Sequence, residues 1–160
     1  MAEFVYIGSF PPPYGGVTVK NALLYEALSK HVNIERIDLS VVKKGSIAYT
    51  MKLLKAVFGR KGALVIGASA DLRYLITTTM HLFNKGKMRK SILIVMGGAV
   101  PDGKAYVKRL GQYKRIYVET EGMRRLFENM GVENVSVYPN CRLRPLIPCK
   151  IRKTCQEESG

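Results

Sequence analysis

Apolar and polar positions along this chain follow two alternating periods. Phe4–Gly8 is a short apolar run, and 32–39 alternates, with Ile34 before Glu35 and Ile37 before Asp38. Ala63–Gly67 reads ALVIG, a third strand, and Ser91–Met96 reads SILIVM, the unbroken apolar type expected of a central parallel strand covered on both faces. Between these runs the spacing is helical. Val17–Lys30 carries Val19, Leu23 and Ala27 at helical intervals, with Leu24 and Leu28 beside them. Ser46–Phe58 sets Ile47, Met51, Leu54 and Phe58 on one face, which is expected to pack on a sheet. Asp71–Asn84 has helical length, with Asp71 as its expected cap, and Thr77, Thr78 and Thr79 as weak helix formers. A polar helix is expected over Gly103–Leu110, a strand over Arg115–Val118, a helix over Glu121–Met130 closed by Gly131, and a last strand over Val135–Tyr138. About six alternations of strand and helix predict an α/β fold: an open parallel sheet with helices on both faces, in the Rossmann-like manner. The period stops at Cys141. Residues 1–140 are therefore expected to form the domain, and 141–160 a linker or frayed tail.

The connection after the first strand is unusual. GSFPPPYGG places three prolines and two glycines between a strand and a helix. The prolines predict an extended or polyproline path, and the glycines allow positive φ or a close approach of backbone to another group. In an open parallel sheet, ligands bind beyond the carboxyl ends of the strands. Two glycine pairs fall there: Gly15-Gly16 at the mouth of the first helix, and Gly97-Gly98 after the most apolar strand, followed by Pro101-Asp102-Gly103. A helix mouth favours an anion, whereas a tight strand-to-helix turn explains either pair equally well. No G-x-G-x-x-G is present, which sets aside a dinucleotide-binding oxidoreductase.

Composition adds charge to this picture. The chain has 160 residues, long enough for one domain, with 47% hydrophobic content and a net charge of +14. Residues 41–115 hold 16 Lys/Arg against Asp71 and Asp102, so the whole excess lies in the middle of the chain. An anionic partner follows, whether bilayer surface, nucleotide diphosphate or nucleic acid, unless these are ordinary solvated helix faces. No apolar run reaches membrane-spanning length, and the N-terminus lacks a signal-peptide pattern. Cys141, Cys149 and Cys155 are late and odd in number, and His31 and His81 are far from them in sequence, so no metal site is expected. His81, between Met80 and Leu82, reads as a packed or half-exposed histidine, and His31 as a cation near a helix end.

FPPPYGG leading into VTVKNALLYEAL, together with IYVETEGMRRLFENMGVENVSVYPNCR, resembles the N-terminal domain of family 4 glycosyltransferases, which have the two-Rossmann GT-B fold. The resemblance spans residues 3 to about 142. It implies an acceptor-binding half of an enzyme that moves a sugar from a nucleotide-sugar donor to a saccharide or lipid-linked saccharide, in surface polysaccharide biosynthesis. Gly15 and Gly16 would then lie near the donor diphosphate, and Pro139 and Asn140 would begin the hinge to the second domain. Many members carry a histidine after the central strand, where this chain reads Met96-Gly97-Gly98. The second domain of such enzymes supplies the nucleotide pocket and a pair of glutamates; here only Glu157 and Glu158 follow the hinge. The expectation is a truncated copy or one subunit of a split enzyme, inactive alone, binding donor only together with a partner Rossmann domain. No cofactor is implied.

Other candidates come from position. Glu119 and Glu121 flank Thr120 just beyond a strand, and Tyr14 and Asn140 lie in irregular segments at the expected ligand edge. Lys52 and Lys55 flank the apolar face of the Ser46–Phe58 helix, with Lys43, Lys44, Arg60 and Lys61 at its ends. Any part of that face not used by the core can lie on anionic headgroups, giving a cytoplasmic protein peripheral to the inner face of the membrane. The competing reading is a basic nucleic-acid-binding module. It is disfavoured because the aromatics are not interleaved with the basic residues.

Overall fold

The computed structural model describes residues 3–97 and 103–138. Six strands form one sheet: β1 (Phe4–Gly8), β2 (Ile34–Asp38), β3 (Ala63–Gly67), β4 (Ile92–Val95), β5 (Arg115–Val118) and β6 (Val135–Val137). Their spatial order is β2-β1-β3-β4-β5-β6, and every neighbouring pair is parallel. Parallel neighbours cannot be joined by a hairpin, so helices fill the crossovers. These are α1 (Gly16–Ser29), α2 (Leu39–Lys43), α3 (Ile47–Phe58), α4 (Ala70–Phe83), α5 (Lys85–Met88), α6 (Lys104–Leu110) and α7 (Glu121–Asn129). The α/β, open, all-parallel, Rossmann-like fold expected from the sequence is therefore present. The domain boundary expected at residue 140 lies outside the described residues.

Alternation along the strands gives two cores. Tyr6, Phe10, Ile34, Val65, Ile94 and Met96 face α1. On the other face, Ile7, Ile37, Leu64, Ile66, Leu93, Val95, Ile116 and Val118 meet apolar side chains of α2 to α7. The imbalance follows from strand order. Among the described residues, only the β1–β2 crossover runs away from the rest of the sheet, so right-handed connections put α1 alone on its face. An apolar groove of about 400 Å³ remains beside it, lined by residues including Leu24, Leu28, Ile92, Ile94 and Tyr117.

Several local expectations need correction. Residues 11–13 run through bends, with the Pro11-Pro12 and Pro12-Pro13 peptide bonds cis, and do not follow the extended or polyproline path expected. Asp71 is in the first turn of α4, while Ser69 holds the N-cap position. Lys85–Met88, for which the sequence pattern predicts no element, form the helical turn α5, started by Asn84 accepting from the Lys87 amide at 3.3 Å. The largest difference is the facing of α3. Ala56 and Val57 are its buried residues, while Ile47, Met51, Leu54 and Phe58 are 79%, 49%, 43% and 46% exposed. Small side chains let this helix lie close to the sheet, and the bulkier stripe points outward.

Candidate functional site

In this strand order the chain reverses direction across the sheet between β1 and β3. Their following helices lie on opposite faces and leave a crevice at the carboxyl ends. Gly8, at the end of β1, is in register with Asp38 of β2 and Gly67 of β3. Asn21, fully buried in α1, reaches into this place. Its Nδ2 donates to Ser9 O and Gly67 O, each at 3.0 Å, and its Oδ1 accepts from the Tyr6 hydroxyl at 2.9 Å. Burial raises the Tyr6 phenol well above its ordinary pKa, keeping it a donor to Asn21. The glycines give the amide its room, since a Cβ on Gly67 would sit 2.2 Å from Asn21 Oδ1 and one on Gly8 2.9 Å from Nδ2.

The loop from β1 to α1 is held from several sides. Asp38 Oδ1 accepts from the Ser40 amide at 2.9 Å, starting α2, and from the Phe10 amide at 3.4 Å. Phe10 is buried, with the Arg36 guanidinium 4.7 Å above its ring. Thr18 Oγ1 accepts from the Gly15 amide at 2.9 Å and donates to Pro13 O at 2.8 Å. The fixed loop ends at a helix mouth where the first intrahelical bond is Val19 N to Gly15 O at 3.0 Å. The amides of Gly16, Val17 and Thr18 precede that bond and form the positive end of the helix dipole.

Gly15 and Gly16 occupy this mouth, but positive φ is not their reason. Gly15 is extended at φ −149°, and neither has the left-handed conformation allowed for in the sequence reading. What they contribute is open space: a Cβ on Gly16 would meet nothing within 4 Å, and one on Gly15 only Thr18 Oγ1 at 3.8 Å. Tyr14, just before them, is 84% exposed.

A second cluster connects the neighbouring strand ends. Lys20, one turn into α1, lies 2.5 Å from Glu119 Oε1, with both side chains more than four-fifths buried. Glu119 Oε2 accepts from the Gly97 amide at 3.3 Å. One carboxylate beyond β5 thus joins α1 to the turn after β4. Gly97 has φ +78°, where a side chain would be strained. The Glu121 carboxylate pairs instead with Arg124 of its own helix. Gly98 and Asn140 lie outside the described residues, as do the three cysteines.

Sequence reasoning missed Lys20, Asn21 and Thr18. The buried side of α1 is marked by Val17, Asn21, Leu24, Tyr25 and Leu28, not by Val19, which is 38% exposed. An amide four residues after Val17 and four before Tyr25 was the available signal. Lys20 carried none, because its partner is 99 positions away. His81 meets Gln112 through Nδ1 at 3.1 Å, as expected for a packed histidine. Among the described residues, no helix is long and apolar enough to cross a membrane.

Compared with family models, curated proteins and solved structures, the chain matches none.

Proposed function

We propose that this chain is the acceptor-side domain of a GT-B glycosyltransferase, carrying a sugar from a nucleotide-sugar donor to a saccharide or lipid-linked saccharide at the cytoplasmic face of a membrane. The observation that supports this reading best is the α1 mouth. Three amides point out beside two glycines whose missing side chains leave the approach clear, which suits a diphosphate. Lys20 adds a cation one turn deeper. In the absence of donor its charge is met by Glu119; a donor phosphate would compete with that carboxylate for the ammonium. Tyr14 stands at the rim of the same opening, available to a saccharide.

The reading requires a second Rossmann domain to supply the nucleoside pocket and close the cleft against water. A diphosphate held by this domain alone is therefore expected to bind weakly. Two-dimensional NMR with UDP and with GDP tests this. The amides of Gly15, Gly16, Val17 and Gly97 should shift, with a dissociation constant of about 1 mM or weaker, on the order of a few kcal/mol of binding. Lys20→Ala should weaken the shift about tenfold, and Glu119→Gln should strengthen it by freeing the ammonium. No response at these amides to either nucleotide, or equal responses in the Lys20 variant, would remove the basis for the reading.

A further inference from the structure

The outer face of α3 and α4 has a character that neither the cores nor the cleft require. Ile47, Met51, Leu54 and Phe58 form a line along α3, and Phe83 at the end of α4 is 71% exposed, its ring 5.7 Å from that of Phe58. Water-facing apolar residues in a continuous row mark a contact surface more often than isolated ones do. The stretch of chain that carries α3 has charge of one sign. Residues 39–70 contain six Lys/Arg and no Asp or Glu.

Beside the same helix, between α3, β2 and α5, lies a pocket of about 220 Å³ lined by Lys52, Lys55, Lys61 and Lys87, with Glu35 as its one carboxylate among the described residues. Glu35 is already engaged, 3.7 Å from the Lys52 ammonium. Lys87 is almost wholly buried, and its Nζ donates to Gly59 O at 3.1 Å and Lys61 O at 2.9 Å. Burial lowers its pKa, so an anion entering the pocket would offset the cost of keeping this ammonium charged. Lysines on one flank of an apolar row match a surface that is anionic outside and hydrocarbon inside.

We propose that α3 lies flat on an anionic lipid bilayer, with Ile47, Met51, Leu54 and Phe58 of α3 and Phe83 of α4 entering the interfacial layer, while the lysine pocket takes a lipid phosphate. The proposal rests on the peripheral-membrane part of the reading above and not on glycosyl transfer. At 12 residues α3 is about 18 Å long, too short to span a bilayer and suited to lying in its surface. A nucleic acid would use the lysines but not a row of Ile, Met and Leu. An acidic protein groove would use both, but would leave the wild-type chain unbound to lipid vesicles.

The chain contains no tryptophan, so Ile47→Trp gives a single reporter on an exposed position. With phosphatidylglycerol–phosphatidylcholine vesicles its emission should move to the blue and be quenched by brominated acyl chains; with phosphatidylcholine alone neither should occur. Met51→Gln with Phe83→Gln, and separately Lys55→Glu, should each reduce co-sedimentation with the anionic vesicles about tenfold, at unchanged circular dichroism. If the wild-type chain binds no vesicles, both the peripheral-membrane reading and this proposal fail. If it binds but these variants bind equally, or the tryptophan stays in water, the proposal fails alone. Self-association that the Met51/Phe83 variant abolishes without lipid, or salt-sensitive RNA or DNA binding stronger than vesicle binding, would also overturn it.

Discussion

Among single residues, Asn21 has the most consequence. Three polar partners from β1, the following loop and β3 depend on one amide; the Tyr6 and Gly67 contacts are buried and the Ser9 contact is part-buried. Asn21→Ala leaves buried groups without partners at about 1–3 kcal/mol each, so a urea-unfolding loss of several kcal/mol is expected. Gly67→Ala should approach that loss from the other side, because its new methyl would occupy the place of Asn21 Oδ1. The double variant should lose less than the two single losses combined, since both act on one contact. Full additivity would show that the two positions act separately. Buried phenols give a pH effect. Burial raises the pKa of Tyr6 and Tyr113, so the folded state keeps protons that the unfolded chain releases above about pH 10. Their contribution is fully present below that point and lost as pH rises further. The urea midpoint should fall above about pH 10, with a shallower fall in Tyr113→Phe. A midpoint flat across that range would contradict the assignment.

At the scale of elements, most of the fold was legible in the residues and the orientation of α3 was not. β1 and β3 begin and end where their apolar runs do, because parallel strands covered on both sides must be apolar throughout. In α3 both faces carry apolar residues, and a period of 3.6 finds a stripe without saying which stripe the sheet takes. Size decided it: Ala56 and Val57 fit where Met51 and Phe58 would be too bulky, and Leu53 packs at the margin. The site was half legible for a similar reason. Gly15, Gly16 and Gly97 stand out as glycines at strand ends, whereas the Lys20–Glu119 pair joins residues that only the folded sheet brings together. The far end of α3 is fastened by Asn84, whose Nδ2 donates to Val57 O at 3.0 Å and Gly59 O at 3.2 Å. Those carbonyls have no partner within the helix. Asn84→Ala should cost about 1–3 kcal/mol and speed amide exchange at the end of α3 more than in β3. Uniform acceleration across the domain would mean that the contact is not local.

Across the whole molecule, the sheet is strongest where it is most enclosed. β1 and β3 each have a strand on both sides, while β6 is three residues long and, among the described residues, has only β5 beside it. Native-state exchange should therefore be slowest at Tyr6, Ile7, Val65 and Ile66 and fastest among strand amides at β6; the reverse order would contradict this. The same strand order bears on how the chain is made. Synthesis delivers β1 first, yet its two neighbours end at Asp38 and Gly67. Until residue 67 has left the ribosome, β1 has an open side and Asn21 lacks its Gly67 partner. Since no parallel pair can close as a local hairpin, little can be secured earlier. A nascent chain halted before β3 should remain open to protease, and one halted shortly after it should begin to resist.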